Sequence, residues 1–509
     1  MSVRAAPGLR PYTPGQLSGF ALIIGVVLSI STIGVLIVLE WMAAAVVAVI
    51  AVSFYVATRP RHGLYLLFAA VIVVEGGSVV PFLDEADFIY RSSNNVGGGG
   101  FIPFSPLEGG MALVVLGTLL QANRAKALRF GDFFWPLLIL AFLVAVGVVR
   151  GMTTGGAFSA AFHEVRTFLY MPLVYFAAVN LLQERRHFQQ LAVVLVTAVA
   201  IMSIGAIWTH YNEVLTGELD SILDFGFAHE NAIFGGVLVI FALAVLIWGN
   251  GFGPRIALLL PGALALAAVL VMKRRLGLLA LDMGLVIVAM VLIRHNWRVA
   301  LFIAPAVIIV TGLYLGTYWN ATGGMGQGAR AFRSIIGQEQ QTEDISSRTY
   351  RELEAFNVEQ NIRWRPIDGT GFGKAYAFPA PLPDLTGFWP FQQFIPHNTV
   401  LWTWMKGGLL TFIALAGLFG YAMIRAMALA RRPLDPLLRA WAVTVAASIP
   451  MVLTFGWGDL GLTNERTMIV FATMLGVIAA LATMPEVQEE GRAGGRIIAI
   501  GGGGRRLDR

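Results

Sequence analysis

Apolar stretches long enough to cross a membrane recur along this chain, and no other feature constrains its fold as strongly. They fall at about 17–39, 41–58, 64–80, 107–122, 133–149, 161–182, 188–209, 231–249, 256–272, 276–293, 299–318, 397–424, 438–456 and 466–484. Each span consumes roughly 20 apolar residues, so the pattern predicts an all-α polytopic membrane protein of about fourteen (12–14) transmembrane helices. Only 13% of the residues are charged against 57% hydrophobic, which leaves too few charges for a water-solvated surface. Helices 1–11 are expected within residues 1–318 and helices 12–14 within 397–484. Between them, residues 319–396 are too polar to span and too long for an ordinary connection.

Basic residues orient the bundle. With a cytoplasmic N-terminus, the inside segments hold Arg59 with Arg61, then Arg124, Lys126 and Arg129, then Arg185 with Arg186. Arg255, Arg294, Arg298, Arg425, Arg431, Arg432 and Arg439 continue the series, as the positive-inside rule requires. The formal charge of +6 thus reports orientation, not nucleic-acid binding. Arg4 and Arg10 precede an apolar run that is too long for a signal-peptide core and lacks a small-residue cleavage site, so it reads as the first span. The tail, residues 485–509 with Gly501–Gly504, is expected to be cytoplasmic and disordered. The absence of cysteine excludes disulfides, thiolate metal sites and cysteine nucleophiles.

Outside segments are mostly poor in Lys and Arg. Residues 81–106 carry Asp84, Glu85 and Asp87, and residues 210–229 carry Glu213, Glu218, Asp220 and Asp224. One outside segment breaks the pattern: Lys273, Arg274 and Arg275 lie together. Either a helix is miscounted, or a cationic cluster is kept at the outer surface to hold an anion.

The 319–396 loop is expected to fold over the outer mouth of the bundle and to contain short helices. Ile345, Thr349, Leu353 and Phe356 recur at helical spacing, which predicts an amphipathic helix lying on the bundle through that face. Asp344, Ser346 and Ser347 are candidate N-caps. The plainer reading of Arg348 is a surface ion pair with Glu352 at i+4. The sharper one has Arg348 and the helix N-terminus facing an anion such as a diphosphate. The run Asp368-Gly-Thr-Gly-Phe-Gly373 lacks a Walker ending and reads as a turn. Tyr376, Phe378, Phe388, Trp389, Phe391 and Phe394 suit an interfacial belt or sugar stacking. At the loop's end, Pro396-His397-Asn398 heads the next helix, whose positive end disfavours imidazolium and predicts a neutral His397 able to accept a proton. A hydrogen-bonding interfacial histidine is the plainer alternative.

Four stretches together resemble the O-antigen ligase and O-antigen polymerase superfamily of bacterial envelope glycosyltransferases. Arg274-Arg275-Leu-Gly-Leu-Leu-Ala-Leu281 is similar to its Ser-Arg-Gly motif, with Arg275 at the arginine position and Arg274 in place of Ser. Ser347-Arg348-Thr-Tyr-Arg-Glu-Leu-Glu-Ala-Phe356 and Pro366-Ile-Asp-Gly-Thr-Gly-Phe-Gly373 resemble the loop's arginine helix and glycine turn. His397-Asn398, followed by Leu401 and Gly407-Gly408, resembles the histidine motif. Phe227-Ala-His-Glu-Asn231 is similar to a Pro-Asn motif, but the Pro is absent. The resemblance covers about residues 160–430.

It implies a multi-pass protein of the bacterial cytoplasmic (inner) membrane with its catalytic loop outside. The donor would be a glycan on a polyprenyl diphosphate, and the acceptor a glycolipid or glycan hydroxyl. By position, His397 would be the general base of an inverting transfer, and Arg275 and Arg348, with Arg274 and Arg166, would bind the diphosphate. No cofactor or metal is implied, and no Asp-x-Asp or His/carboxylate cluster stands on the expected outside face. A polymerase of the same superfamily remains an alternative. So does a transporter or flippase of lipid-linked saccharides, which should show repeat symmetry and broken helices near the midplane. Of the remaining polar residues, Glu164 and Arg166 alternatively form an internal network, and Asp282 is expected to be the buried partner of a bundle arginine. Asp459, Glu465 and Arg466 are expected to be solvated beside the last outer loop.

Overall fold

The computed structural model describes residues 41–484 apart from 75–104, 126–127, 217–228, 273, 296, most positions between 322 and 341, 387–389 and 433. Among the described residues there are fourteen helices and no strand. In chain order they are α1 (Trp41–Thr58), α2 (Pro60–Val73), α3 (Pro106–Ala125), α4 (Phe134–Thr153), α5 (Phe158–Leu181), α6 (Arg185–Thr216) and α7 (Asn231–Trp248). There follow α8 (Phe252–Val271), α9 (Arg275–His295), α10 (Trp297–Tyr318), α11 (Thr342–Trp364), α12 (Thr399–Ala430), α13 (Pro436–Gly458) and α14 (Glu465–Thr483). Eight are long and apolar enough to cross a membrane: α4, α6, α7, α8, α9, α12, α13 and α14. The expected first span, the 81–106 loop, most of the acidic 210–229 segment, Lys273 and the 485–509 tail lie outside the described residues.

The hydrophobic core is central, and the periphery is also apolar. From Arg466 through Leu481, every residue of α14 is buried, which marks a helix surrounded by protein. It packs along α5, where Gly476 lets the backbones close: a Cβ there would lie 2.3 Å from Cβ of Ala178. Helix α13 sits beside it and also contacts α7, α9 and α12. On the outer helices large apolar side chains face away from the core, as with Trp135 at 67% and Phe142 at 65% exposed on α4 and Ile424 at 67% on α12. Hydrocarbon, not water, is the solvent that tolerates such a surface.

Two features position the polar end of the bundle. The first is α11, a 23-residue helix and thus longer than the short helices expected in the loop. It begins at Thr342, so Asp344, Ser346 and Ser347 lie inside it and are not its caps. Its buried stripe is Glu354, Asn357, Val358, Asn361 and Ile362, whereas Phe356 is 46% exposed. This corrects the apolar face read from Thr349, Leu353 and Phe356, while the side chain of Ile345 lies outside the described residues. The helix covers polar backbone: Asn357 pairs with Ala380 through both its amide groups, and Asn361 pairs likewise with Ala377.

The second feature is an interruption of α12 at Gly408, where φ is 79° and ψ is −180°. Backbone broken inside an apolar helix of spanning length needs partners. The Asp368–Gly373 turn supplies them: Thr370 N–H donates to Met405 O at 2.7 Å and Gly371 N–H to Lys406 O at 3.0 Å. Beyond the break, Leu409 N–H donates to Pro366 O and Ile367 O, each at 3.1 Å. The same turn seats fully buried Phe372 against α4, where its backbone approaches so closely that a Cβ on Gly151 would meet Phe372 O at 1.7 Å. The expectation of a turn at Asp368–Gly373 therefore understates its role: it splints a split helix.

Candidate functional site

Helix ends and loop elements converge at one end of the bundle around His397. Asn398 caps α12, its Oδ1 accepting from Leu401 N–H at 2.9 Å, so His397 stands just outside the first turn. Glu354 of α11, only 3% exposed, meets it from above. One oxygen, Oε2, lies 2.9 Å from the backbone nitrogen of His397 and 2.9 Å from its ring Nδ1. The Tyr350 ring stands edge-on to the imidazole at 5.8 Å between centroids, and Gln392 Nε2 donates to the Tyr350 hydroxyl at 3.1 Å. Burial, and then the charge of Glu354, push the Tyr350 phenol up to about 12. With Nδ1 donating to Glu354, Nε2 is the remaining lone pair, and no hydrogen bond engages it among the described residues.

The charge state of His397 differs from the helix-end expectation. Burial does pull the imidazole down, but the bond to Glu354 and the charges of Glu354 and Asp459 outweigh it, against Arg351, and the pKa is raised. Two nearby carboxylates simply exceed a partial helix-end charge.

Asp459 lies on the turn after α13 and is 5% exposed. Its Oδ2 pairs with Nδ1 of His229, and its Oδ1 accepts from Leu460 N–H at 2.8 Å. Burial alone would lift this carboxyl; the bond and charge of His229, the charge of His397 and the Leu460 N–H hold it at about 2 instead. The turn is fastened to the head of α12 by Thr399, whose hydroxyl donates to Gly456 O at 2.9 Å and accepts from Leu462 N–H at 3.2 Å.

Beneath this layer the acidic and basic residues are paired in the core, which corrects the expectation that Asp459, Glu465 and Arg466 are solvated. Arg466 is 5% exposed and donates to Val71 O at 2.7 Å, Ile72 O at 2.9 Å and Asn231 Oδ1 at 2.8 Å. Glu465 pairs with Arg166, and Glu230 with Asn464. Tyr170 donates to Glu108. Glu164 pairs not with Arg166 but with Lys406 of α12, Nζ to Oε1 at 2.8 Å with neither side chain exposed.

The cations expected to hold an anion are distributed differently. The side chain of Arg348 is 65% exposed and bonds Glu352 Oε1 at 2.7 Å, the plain i+4 pair. No contact joins Arg348 to His397 among the described residues. It lies six positions before Glu354, about 9 Å of helical rise. Arg274 precedes α9 and accepts from Leu278 N–H through its carbonyl at 3.2 Å, while Arg275 begins that helix; the side chain of Arg275 lies outside the described residues. Arg166 is at the polar end but engaged with Glu465. Asp282 is exposed and pairs with no arginine among the described residues, contrary to expectation, because its turn of α9 faces outward.

The arginine-helix stretch contains Glu354 and the next span contains Lys406, and the sequence alone points to a role for neither. The available signal was the helical spacing of Glu354, Asn357 and Asn361, a polar stripe that matches the buried face of α11.

Residues 260–416 match the family model described as O-antigen ligase, a range that takes in α9, α11, the glycine turn and α12 through its break. No curated protein matches the chain.

Proposed function

We propose that this chain, whose residues 260–416 match the family model described as O-antigen ligase, transfers a glycan from a polyprenyl-diphosphate carrier to an acceptor hydroxyl. His397 is the general base. The observation that carries the reading is the double hold of buried Glu354 on His397, at 2.9 Å to its backbone nitrogen and 2.9 Å to Nδ1. A carboxylate on Nδ1 fixes the tautomer with its lone pair on Nε2 and stabilises the imidazolium that forms on proton uptake.

The acceptor O–H gives its proton to His397 Nε2 while its oxygen attacks the anomeric carbon from the face opposite the carrier. The bond from that carbon to the diphosphate oxygen breaks, and the configuration inverts. A positioned base contributes roughly 10²–10⁴-fold, and orientation and charge stabilisation supply the rest. Arg274 and Arg275, at the head of α9, and Arg348 are the residues assigned to the diphosphate. Arg166 would have to share its charge with Glu465 to join them. The transfer takes place at the outer face of a bacterial cytoplasmic membrane, and the acceptor is a glycolipid or glycan.

The break in α12 is what a transporter would show, so it favours that second reading in part. Its open backbone groups are bonded to the glycine turn, however, and are not left facing a path. The test is transfer by purified protein from a polyprenyl-diphosphate glycan to a panel of acceptors. His397→Ala should abolish transfer while carrier binding persists; undiminished transfer overturns the base. Wild-type extension without an added acceptor selects a polymerase over a ligase, and saccharide uptake into vesicles without transfer selects a transporter.

A further inference from the structure

His229 is a second imidazole whose surroundings repeat those of His397. Its Nδ1 is held by Asp459, a carboxylate 5% exposed, as Nδ1 of His397 is held by Glu354. The His229 side chain is 32% exposed against 30% for His397. In neither ring does a hydrogen bond engage Nε2 among the described residues. The two are fixed on one frame, since the turn that carries Asp459 is bonded to Thr399, two residues after His397. Asp459 also acts by charge on His397 itself. Finally, His229 lies just before Asn231, the first residue of α7, so it stands at a positive helix end suited to an anion.

Two imidazoles oriented alike cannot both remove one proton, but the reaction has a second demand. As the anomeric bond breaks, the electron pair goes to a diphosphate oxygen, and a proton or cation there lowers the barrier. We propose that His229, positioned by Asp459, is the acid that serves this leaving group, the counterpart of His397 on the acceptor side. This rests on the transfer reaction proposed above. The acceptor proton passes to His397 Nε2, and the carbon–oxygen bond to the acceptor forms. The bond to the carrier breaks, and the proton on His229 Nε2 passes to the departing diphosphate oxygen. One imidazole has then gained a proton and the other has lost one, and exchange with water resets both.

The charged groups around the pair are Asp459 and Glu230 beside His229, Arg466 of α14 bonded to Asn231, and Glu354 and Arg351 of α11 around His397. Arg166 and Glu465 lie paired in the layer below.

The pH profile of kcat separates the roles. A base must be unprotonated, which produces the acid limb, and an acid must be protonated, which produces the alkaline limb. His229→Gln should keep carrier binding and KM for the donor, lose about 10²-fold or more in kcat, and lose the alkaline limb. Asp459→Asn, which removes the group holding Nδ1 of His229, should lower kcat in the same direction with the donor KM kept. A His229→Gln protein with wild-type kcat and an unchanged alkaline limb overturns the proposal. So does a wild-type profile with no alkaline limb, a result that needs no variant to fold. If the wild type transfers nothing, the transfer reaction falls and this role with it; an active wild type with an indifferent His229→Gln removes the acid alone.

Discussion

Lys406 and Glu164 form an ion pair, 2.8 Å between Nζ and Oε1, that no solvent reaches. The pair joins three segments. Lys406 also donates to Lys374 O, and Glu164 Oε2 also accepts from Gly373 N–H, so α5, α12 and the glycine turn share one charge centre. Removing one partner strands the other. Lys406→Met should therefore lower stability by about 3–5 kcal/mol, while Lys406→Met combined with Glu164→Leu should recover much of that loss. Thermal or urea unfolding in detergent measures both, and a single variant as stable as the wild type would refute the centre's role.

Glu354→Gln tests the hold on His397. A carboxamide can turn its N–H toward Nδ1 and leave the proton on Nε2, the wrong tautomer for a base. We expect kcat to fall by roughly 10²-fold or more. The sign of the pH effect follows from the raised pKa: the Glu354 charge favours the protonated ring, so its loss lowers the pKa of His397. The acid limb of the rate profile should accordingly move to lower pH. A shift to higher pH would contradict the arrangement.

Asp459 makes stability depend on acid. Its pKa is about 2 in the fold against an ordinary 3.8, so its contribution is complete above pH 3.8 and is lost as the pH falls toward 2. The pH-dependent part is on the order of 2 kcal/mol. Unfolding measured from pH 6 to pH 2 should show the gap between wild type and Asp459→Asn closing over that window. A gap that stays constant would mean the carboxylate is not held low.

Gly408→Ala should open the joint in α12. At φ 79° and ψ −180° only glycine is at ease, and a Cβ there would lie 2.2 Å from Ile367 O. Backbone strain alone costs about 1–3 kcal/mol. The displaced turn should also carry the head of α12 with it and reduce transfer at least about ten-fold. Gly417→Ala is the control, since nothing lies within 4 Å of a Cβ at that position and both stability and transfer should hold.

The helices were legible because hydropathy is local. Where the described helices correspond to expected spans, most ends differ by only a few residues: α13 spans 436–458 against an expected 438–456. The pairing of polar residues was not legible, because no window of sequence contains it. Glu164 and Lys406 meet across the whole middle of the chain, as do Arg166 and Glu465. Proximity to a loop made Asp459 and Arg466 look solvated, when the helix packing around them leaves each 5% exposed. On α11 the search for an apolar face selected the wrong side. A helix that covers polar backbone buries Glu354 and two asparagines, and leaves Phe356 outward. His397 was found because proline and asparagine mark a helix start; its carboxylate was missed because Glu354 is a neighbour only in space.

The split of α12 has a consequence for the order in which the protein is made. Insertion of an apolar segment can seat the part after Gly408, but the part that begins at Thr399 is fixed by backbone bonds to residues 366–371. That turn in turn needs α4 and α5, which leave the ribosome long before it. Setting the corner around His397 is therefore a late, non-local step of biogenesis. A nascent chain stopped before α13 already contains His397, Glu354 and His229, yet it lacks the Asp459 that links the two histidines.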